Sequence, residues 1–478
     1  MPSIKKNFVY NVSITLANYI AGLLVFPYVS RCLGVELIGQ TSFAVNVVSY
    51  FSLFALLGVV TVGTREIAGC KNDDNKRSNV FSSVFTIILI LTGISFLLMT
   101  ASIFIIPKFG EYKQLLLIGS ISLVFTSLQI EWLYQGIEQF DYIAIRSILI
   151  RVLYCTSVFL FIKGKDDYLL YYILTVAQTV LNGLVNLLYS RHFVKFSFKN
   201  VQVKAYLKPI VSYGVNKLLI SMYTTFNVLY LGFVCTDTEV GYYSTANKLF
   251  GILLGVITAF TYVILPRMSS LLSNNNIEEF HHKINQSFDV ILSLAIPISI
   301  GGVMMAPQIV RILAGGGYEG AIIPMQIIMP VIILTGISQI CIMQVLIPMK
   351  KDNAVLFASV IGAIVGVAAN IVLVGKAGAI GSALVLLLSE LGSTIYCFIY
   401  AIKNKIIIFP WRMVCKQFLL GLPYVLYCGF VNKLDISSPI ATLGLSVLLC
   451  GIHFLLTNFV FRKDSEISKI FGHSFRLK

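Results

Sequence analysis

Apolar residues run for roughly twenty positions at a time along this chain, interrupted by short polar segments. The runs are continuous rather than alternating. Each therefore predicts a helix that satisfies its own backbone, not a strand of a barrel. Their centres fall near Tyr19, Ser52, Leu91, Leu123, Leu153, Asn182, Met222, Leu254, Ala295, Val331, Gly362, Leu388, Tyr424 and Ser446. At about 20 residues per crossing this predicts an all-α polytopic membrane protein with about fourteen spans. The spans on either side of Gly375–Gly381 form a tight pair, and Pro423 falls within another pair.

Composition agrees. The 478 residues are 57% hydrophobic and 12% charged, with a mean hydropathy of +0.86; soluble domains carry about a quarter charged residues. A net charge of +15 would suggest nucleic acid in a soluble chain. Here it has another use. With the N-terminus inside and about fourteen spans, basic residues divide 25 inside against 8 outside, and the remaining Arg151, Lys217 and Lys248 lie within spans. That bias predicts two cytoplasmic termini, and nucleic acid is not an expected partner. The basic start "MPSIKKNFVY" lacks a small-residue cleavage site after its apolar run and reads as a retained first helix.

Gly39–Phe51, "GQTSFAVNVVSYF", resembles Gly241–Leu253, "GYYSTANKLFGIL", at an offset of 202 residues. Gly39, Ser42 and Ala44 match Gly241, Ser244 and Ala246, and the preceding helices keep register. An even number of spans separates the copies, so the repeat is parallel, and repeated halves usually meet at a central site. The expected organisation is a six-helix bundle over 1–192, a basic cytoplasmic linker over 193–207, a second six-helix bundle over 208–402, and two final helices with a tail over 403–478. The linker region "RHFVKFSFKNVQVKAYLK" reads as an interfacial amphipathic helix.

Polar positions recur at helical spacing within the spans. Asn11, Thr15 and Asn18 form one stripe, and Ser42, Asn46 and Ser49 another. Polar stripes are costly against lipid and should face protein or a wet cavity. The 202-residue offset maps Thr15 onto Lys217 and Asn46 onto Lys248, so both lysines fall on the repeated stripes. They are read as cavity-facing cations, the alternative being snorkelling to the interface. Arg151, near a helix end, reads first as a snorkelling or headgroup-contacting residue. Glu390, Asp289 and Glu131 are the acidic residues in or near spans, as ion relays or as structural partners. The excess of intramembrane cations suits an anionic substrate rather than an organic cation.

Other chemistry is missing from the sequence. "AGGGYEG" at Ala314–Gly320 lacks the Lys-Ser/Thr ending of a phosphate loop. His281 and His282 are adjacent and have no metal-ligating neighbours in sequence. The nine cysteines show no CxxC pattern and read as small buried hydrophobes. "NVS" at Asn11–Ser13 lies inside a span. No enzyme, no cofactor and no ATP site are expected, which leaves an ion gradient or substrate flux as energy source.

At Phe26–Ala68, "FPYVSRCLGVELIGQTSFAVNVVSYFSLFALLGVVTVGTREIA", the chain resembles the Wzx-type, O-antigen polysaccharide flippases of the multidrug/oligosaccharidyl-lipid/polysaccharide exporter superfamily. The likeness rests on Pro27, Tyr28, Ser30, Arg31, Leu33 and Gly34, then Gly39, Ser42, Phe43 and Ala44, then Leu57, Gly58, Gly63, Arg65, Glu66, Ile67 and Ala68. The resemblance implies two bundles around a central cavity and alternating access. It implies an undecaprenyl-pyrophosphate-linked oligosaccharide moved across the bacterial inner membrane, with a glycan polymerase and a chain-length regulator as partners. Lys217 and Lys248, with Arg151 and Arg31, would then meet the pyrophosphate. Asn11, Thr15, Asn18, Ser42, Asn46, Asn216 and Asn247 would line the cavity, with Asn18, Asn46, Asn216 and Asn247 meeting sugar hydroxyls. Arg31 and Arg65 read first as anchors or helix caps. Arg65 and Glu66 are also gate candidates, although adjacent residues are not expected to face each other on a helix. The alternatives are a peptidoglycan lipid-precursor flippase, a multidrug/cation antiporter, and a non-transporting scaffold that recruits the polymerase. The uncharged first helix weighs against the first of these, and the missing acidic cluster against the second.

Overall fold

The computed structural model describes residues 4–70, 73–198, 201–404, 410–434 and 436–461. It divides into two compact units, Met1–Gly241 and Tyr242–Lys478. Unit 1 contains α1 (Ile4–Leu33), α2 (Val35–Leu56), α3 (Val59–Ala68), α4 (Asp74–Ile105), α5 (Pro107–Glu111) and α6 (Lys113–Ser127). It continues with α7 (Glu131–Gly136), α8 (Phe140–Phe161), α9 (Tyr168–Ser190), α10 (Val203–Ser221), α11 (Thr225–Val234) and the first turn of α12 (Asp237–Ser273). Unit 2 adds α13 (Ile277–Met304), α14 (Ala306–Leu313), α15 (Ile322–Ile328), α16 (Val331–Gln339), α17 (Asp352–Ala369), α18 (Gly375–Lys403), α19 (Trp411–Lys433) and α20 (Pro439–Leu455). No strand occurs among the described residues.

Eleven helical stretches among the described residues are long and apolar enough to cross a membrane, or twelve if the bent pair α10–α11 is one span. The expectation of about fourteen treats the 52-residue stretch Asp352–Lys403 as two spans, one on each side of the non-helical Gly378, and also includes α12. Large apolar side chains lie outside, as a lipid solvent requires: Leu97 is 68% exposed and Ile105 76%.

Local chemistry sets the helix ends. Asp73 caps α4 by accepting from the Lys76 N–H at 2.9 Å, and Asn276 caps α13 through the Glu279 N–H at 3.3 Å. Gly34, at φ 79°, lets the chain turn between α1 and α2. The Arg191–Lys208 region departs from the expected interfacial helix. Residues 194–197 carry no regular secondary structure, and α10 begins only at Val203. Side chains of α4 take up the backbone N–H groups that a helix would otherwise use: Ser78 accepts from Lys195, Ser82 from Ser197 and Ser83 from Gln202, at 3.1, 3.0 and 2.9 Å.

The repeat-equivalent glycines meet. A Cβ on Gly39 would overlap the Asp237 carbonyl, and one on Gly241 would overlap the Val35 carbonyl. Val35 and Asp237 are themselves related by the 202-residue offset, so the crossing of α2 with the start of α12 is a reciprocal contact. Both glycines are required for backbone contact. Gly63, in the sequence block shared with the flippases, seats the buried Trp132: a Cβ there would lie 2.6 Å from the indole.

Candidate functional site

Unit 1 holds a cleft of about 330 Å³ bounded by α2, α6, α9 and α10. Close packing shapes its walls. A Cβ on Gly119 would lie 2.5 Å from the Tyr172 hydroxyl and from Val48, and one on Gly183 would lie 2.7 Å from the Phe125 carbonyl. α6 therefore packs closely on α9: the Tyr172 side chain fills the space over Gly119, and the Phe125 backbone rests on Gly183. Ser49 and Ser52 of α2, Ser122 and Thr126 of α6, and Thr175 and Thr179 of α9 line the space. Several of these hydroxyls donate to their own helix, Ser52 to the Val48 carbonyl at 2.8 Å and Thr126 to the Ser122 carbonyl at 2.7 Å. Their lone pairs stay available as acceptors.

Lys217 of α10 completes the lining and is the one charged residue among those that line it. No carboxylate lines the cleft, and Lys217 has no hydrogen-bond or ion-pair partner among the described residues. An ammonium without a counterion, beside hydroxyls and apolar walls, has the chemistry to attract an anion. The volume lies in the range of small-molecule pockets, about 300–1,000 Å³.

The structure distributes the other predicted residues. Arg151 of α8 donates to the Asn18 amide oxygen of α1 at 2.6 Å, which joins two predicted positions. Thr15 is exposed on the same helix, and the side chain of Asn11 lies outside the described residues. On α2, Ser42 and Asn46 are half-buried, and the Asn46 amide donates to the Ser42 carbonyl at 2.8 Å. Asn216 is half-buried beside Lys217, and its amide oxygen has no hydrogen-bond partner. Arg31 is exposed and donates to the Pro27 carbonyl at 2.6 Å, on the last turn of α1.

The expectation that Arg65 and Glu66 cannot face each other is corrected. Their side chains form an ion pair at 2.8 Å on the exposed last turn of α3. The arginine is long enough to fold around the helix surface, where no neighbour blocks it.

In unit 2, Lys248 is exposed and Asn247 half-buried on α12. Asp289 is buried on α13, and the Gln417 amide of α19 donates to its carboxylate at 2.7 Å and to the Ser293 hydroxyl at 2.7 Å. Glu390 of α18 is half-buried and hydrogen-bonded to Thr335 of α16. A second cavity of about 360 Å³, between α13 and α19–α20, is lined almost wholly by apolar side chains such as Leu253, Ile298, Met305 and Val447.

Sequence reasoning missed one cluster. Arg146 counts as a loop anchor by its position, but it is only 5% exposed. It donates to Glu131 at 2.6 Å and to the Ser147 hydroxyl at 2.9 Å, and also to the amide oxygen of the fully buried Asn186. Its guanidinium lies 5.8 Å from the Tyr142 ring, which stacks on Tyr189 at 4.0 Å. Asn186 inside an apolar helix was the available signal.

A family model described as polysaccharide biosynthesis protein matches residues 4–272. Two relatives are each named "Putative O-antigen transporter". One, from Escherichia coli (strain K12), is 25% identical over 412 residues, covering 85% of this chain and 98% of the relative. The other, from Shigella dysenteriae, is 24% identical over 393 residues, covering 81% and 97%. The fold is similar to that of the lipid II flippase MurJ in an inward closed conformation, with a TM-score of 0.75 at 15% identity, covering 94% of this chain and 98% of that one. It is also similar to an inward-facing multidrug resistance MATE family transporter of the MOP superfamily, with a TM-score of 0.60 at 15% identity, covering 82% and 94%.

Proposed function

The chain belongs to the polysaccharide biosynthesis protein family, and from that premise we propose that it is a flippase for a lipid-linked glycan. The finer reading is that it moves an undecaprenyl-pyrophosphate-linked oligosaccharide repeat unit between leaflets of the bacterial inner membrane by alternating access. Lys217 carries this reading. Its unpaired ammonium borders a cleft of serine and threonine hydroxyls set among apolar side chains, with no carboxylate in its lining. A diphosphate supplies the missing counterion, and sugar hydroxyls are complementary to the serines and threonines. Lys248, exposed on α12, is proposed separately as a cation of unit 2 that meets an anionic substrate. The two O-antigen transporter relatives support the substrate class. The 25-to-8 division of basic residues supports cytoplasmic termini.

The test is glycan movement in vesicles reconstituted with the full chain and an undecaprenyl-pyrophosphate-linked repeat unit. Lys217→Ala is expected to lower the rate roughly ten- to a hundred-fold, the worth of a charge-assisted hydrogen bond. Lys217→Arg should restore part of it. Wild-type activity in Lys217→Ala would remove the cleft from the mechanism. Equal transport of a peptidoglycan precursor would favour the other lipid-linked substrate. Ion coupling is proposed with Glu390 as relay, motivated by a carboxyl within a span. A rate indifferent to collapse of the proton gradient would exclude it.

A further inference from the structure

Residues 191–198, which follow α9, form a strap held at several points. Ser78, Ser82 and Ser83 of α4 hold its backbone, and Arg77 donates to the Phe193 carbonyl at 2.8 and 3.0 Å. Val194 is buried in the core that contains Trp132 and Phe81. From that core a file of rings leads outward. Phe81 stacks on Phe85 at 5.3 Å, Phe85 meets Phe196 edge-on at 5.5 Å, and Phe196 meets Phe198 at 4.6 Å. The outermost ring, Phe198, is 69% exposed.

Charge surrounds these rings. Residues 191–208 contain Arg191, Lys195, Lys199, Lys204 and Lys208 and no Asp or Glu. Arg191, Lys195, Lys204 and Lys208 are exposed, and none is paired with a carboxylate among the described residues. The strap lies where α9 ends and where α4 and α10 begin, at the ends of helices long and apolar enough to cross a membrane. Rigidly held exposed aromatics beside unpaired basic residues at those ends match an anionic lipid interface.

We propose that the strap and the first turns of α10 form a docking surface for the anionic headgroup layer of the membrane. Arg191, Lys195, Lys204 and Lys208 meet lipid phosphates, and Phe196 and Phe198 enter the boundary with the acyl chains. The surface sets the depth of unit 1 in the bilayer and is independent of the transported glycan.

The test uses the purified full chain equilibrated with mixed phosphatidylglycerol and phosphatidylcholine, with retained lipids counted by native mass spectrometry. The wild type is expected to prefer phosphatidylglycerol, and added salt to weaken that preference. Lys195→Gln/Lys204→Gln/Lys208→Gln should reduce the preference about ten-fold or more. Lys163→Gln/Lys165→Gln, in the loop between α8 and α9, should leave it unchanged. An undiminished preference in the triple variant, or none in the wild type, overturns the docking surface. Loss of the preference in Lys217→Ala would place the lipid in the cleft and overturn it as well.

Discussion

Lys217 and Arg146 are two cations of the same unit, and their surroundings are opposite. Arg146 is buried against Glu131, Asn186 and the Tyr142 ring. Lys217 is exposed to a cleft of hydroxyls and apolar side chains, with no partner among the described residues. A buried charge with fitted partners is costly to disturb and contributes to structure. A charge left unpaired beside open polar space gains most from a ligand. The same residue class, a cation inside a membrane bundle, therefore serves two purposes, and only its neighbours distinguish them.

The sharpest way to break this contrast is Arg146→Ala. It leaves Asn186 and Glu131 without their donor and is expected to destabilise unit 1 by about 3 kcal/mol, since removing one member of a buried pair typically costs 3–5 and Glu131 is partly exposed. Thermal unfolding of the purified protein in detergent measures this; an unchanged midpoint would make the cluster dispensable. Lys217→Met should behave oppositely. Its unfolding midpoint should stay within about 0.5 kcal/mol of the wild type while glycan movement falls. A large loss of stability would show that Lys217 is structural too, and the contrast would fail. The smallest effect is expected at the join of α1 and α8. Asn18→Ala removes one acceptor, itself exposed, from the half-buried Arg151 and should cost about 0.5–1 kcal/mol at most. A greater cost would place Arg151 with Arg146 rather than with Lys217.

Much of this was legible in the chain. Asn46 and Ser42, spaced one turn apart, share a face of α2, and Lys217, which the repeat sets on the equivalent stripe, lines a cleft within unit 1. Periodicity reports which face of a helix a residue occupies, because 3.6 residues complete a turn. It does not report what the next helix brings to that face. Ser122, Thr126, Thr175 and Thr179 reached the cleft unannounced, each a single hydroxyl in an apolar run. Arg146 looked like a loop anchor because its partners stand 15 and 40 residues away.

The sequence by itself determined the solvent this protein lives in and the helical class of its spans. These follow from backbone satisfaction in lipid and from short-range spacing, both written locally along the chain. Tertiary structure decided which cation is neutralised and which stands open. It also decided that residues 194–197 of the basic linker are held on α4 without regular secondary structure and that two related glycines cross. Those outcomes depend on which side chains meet across helices, and contacts between distant positions leave no periodic mark in a single sequence.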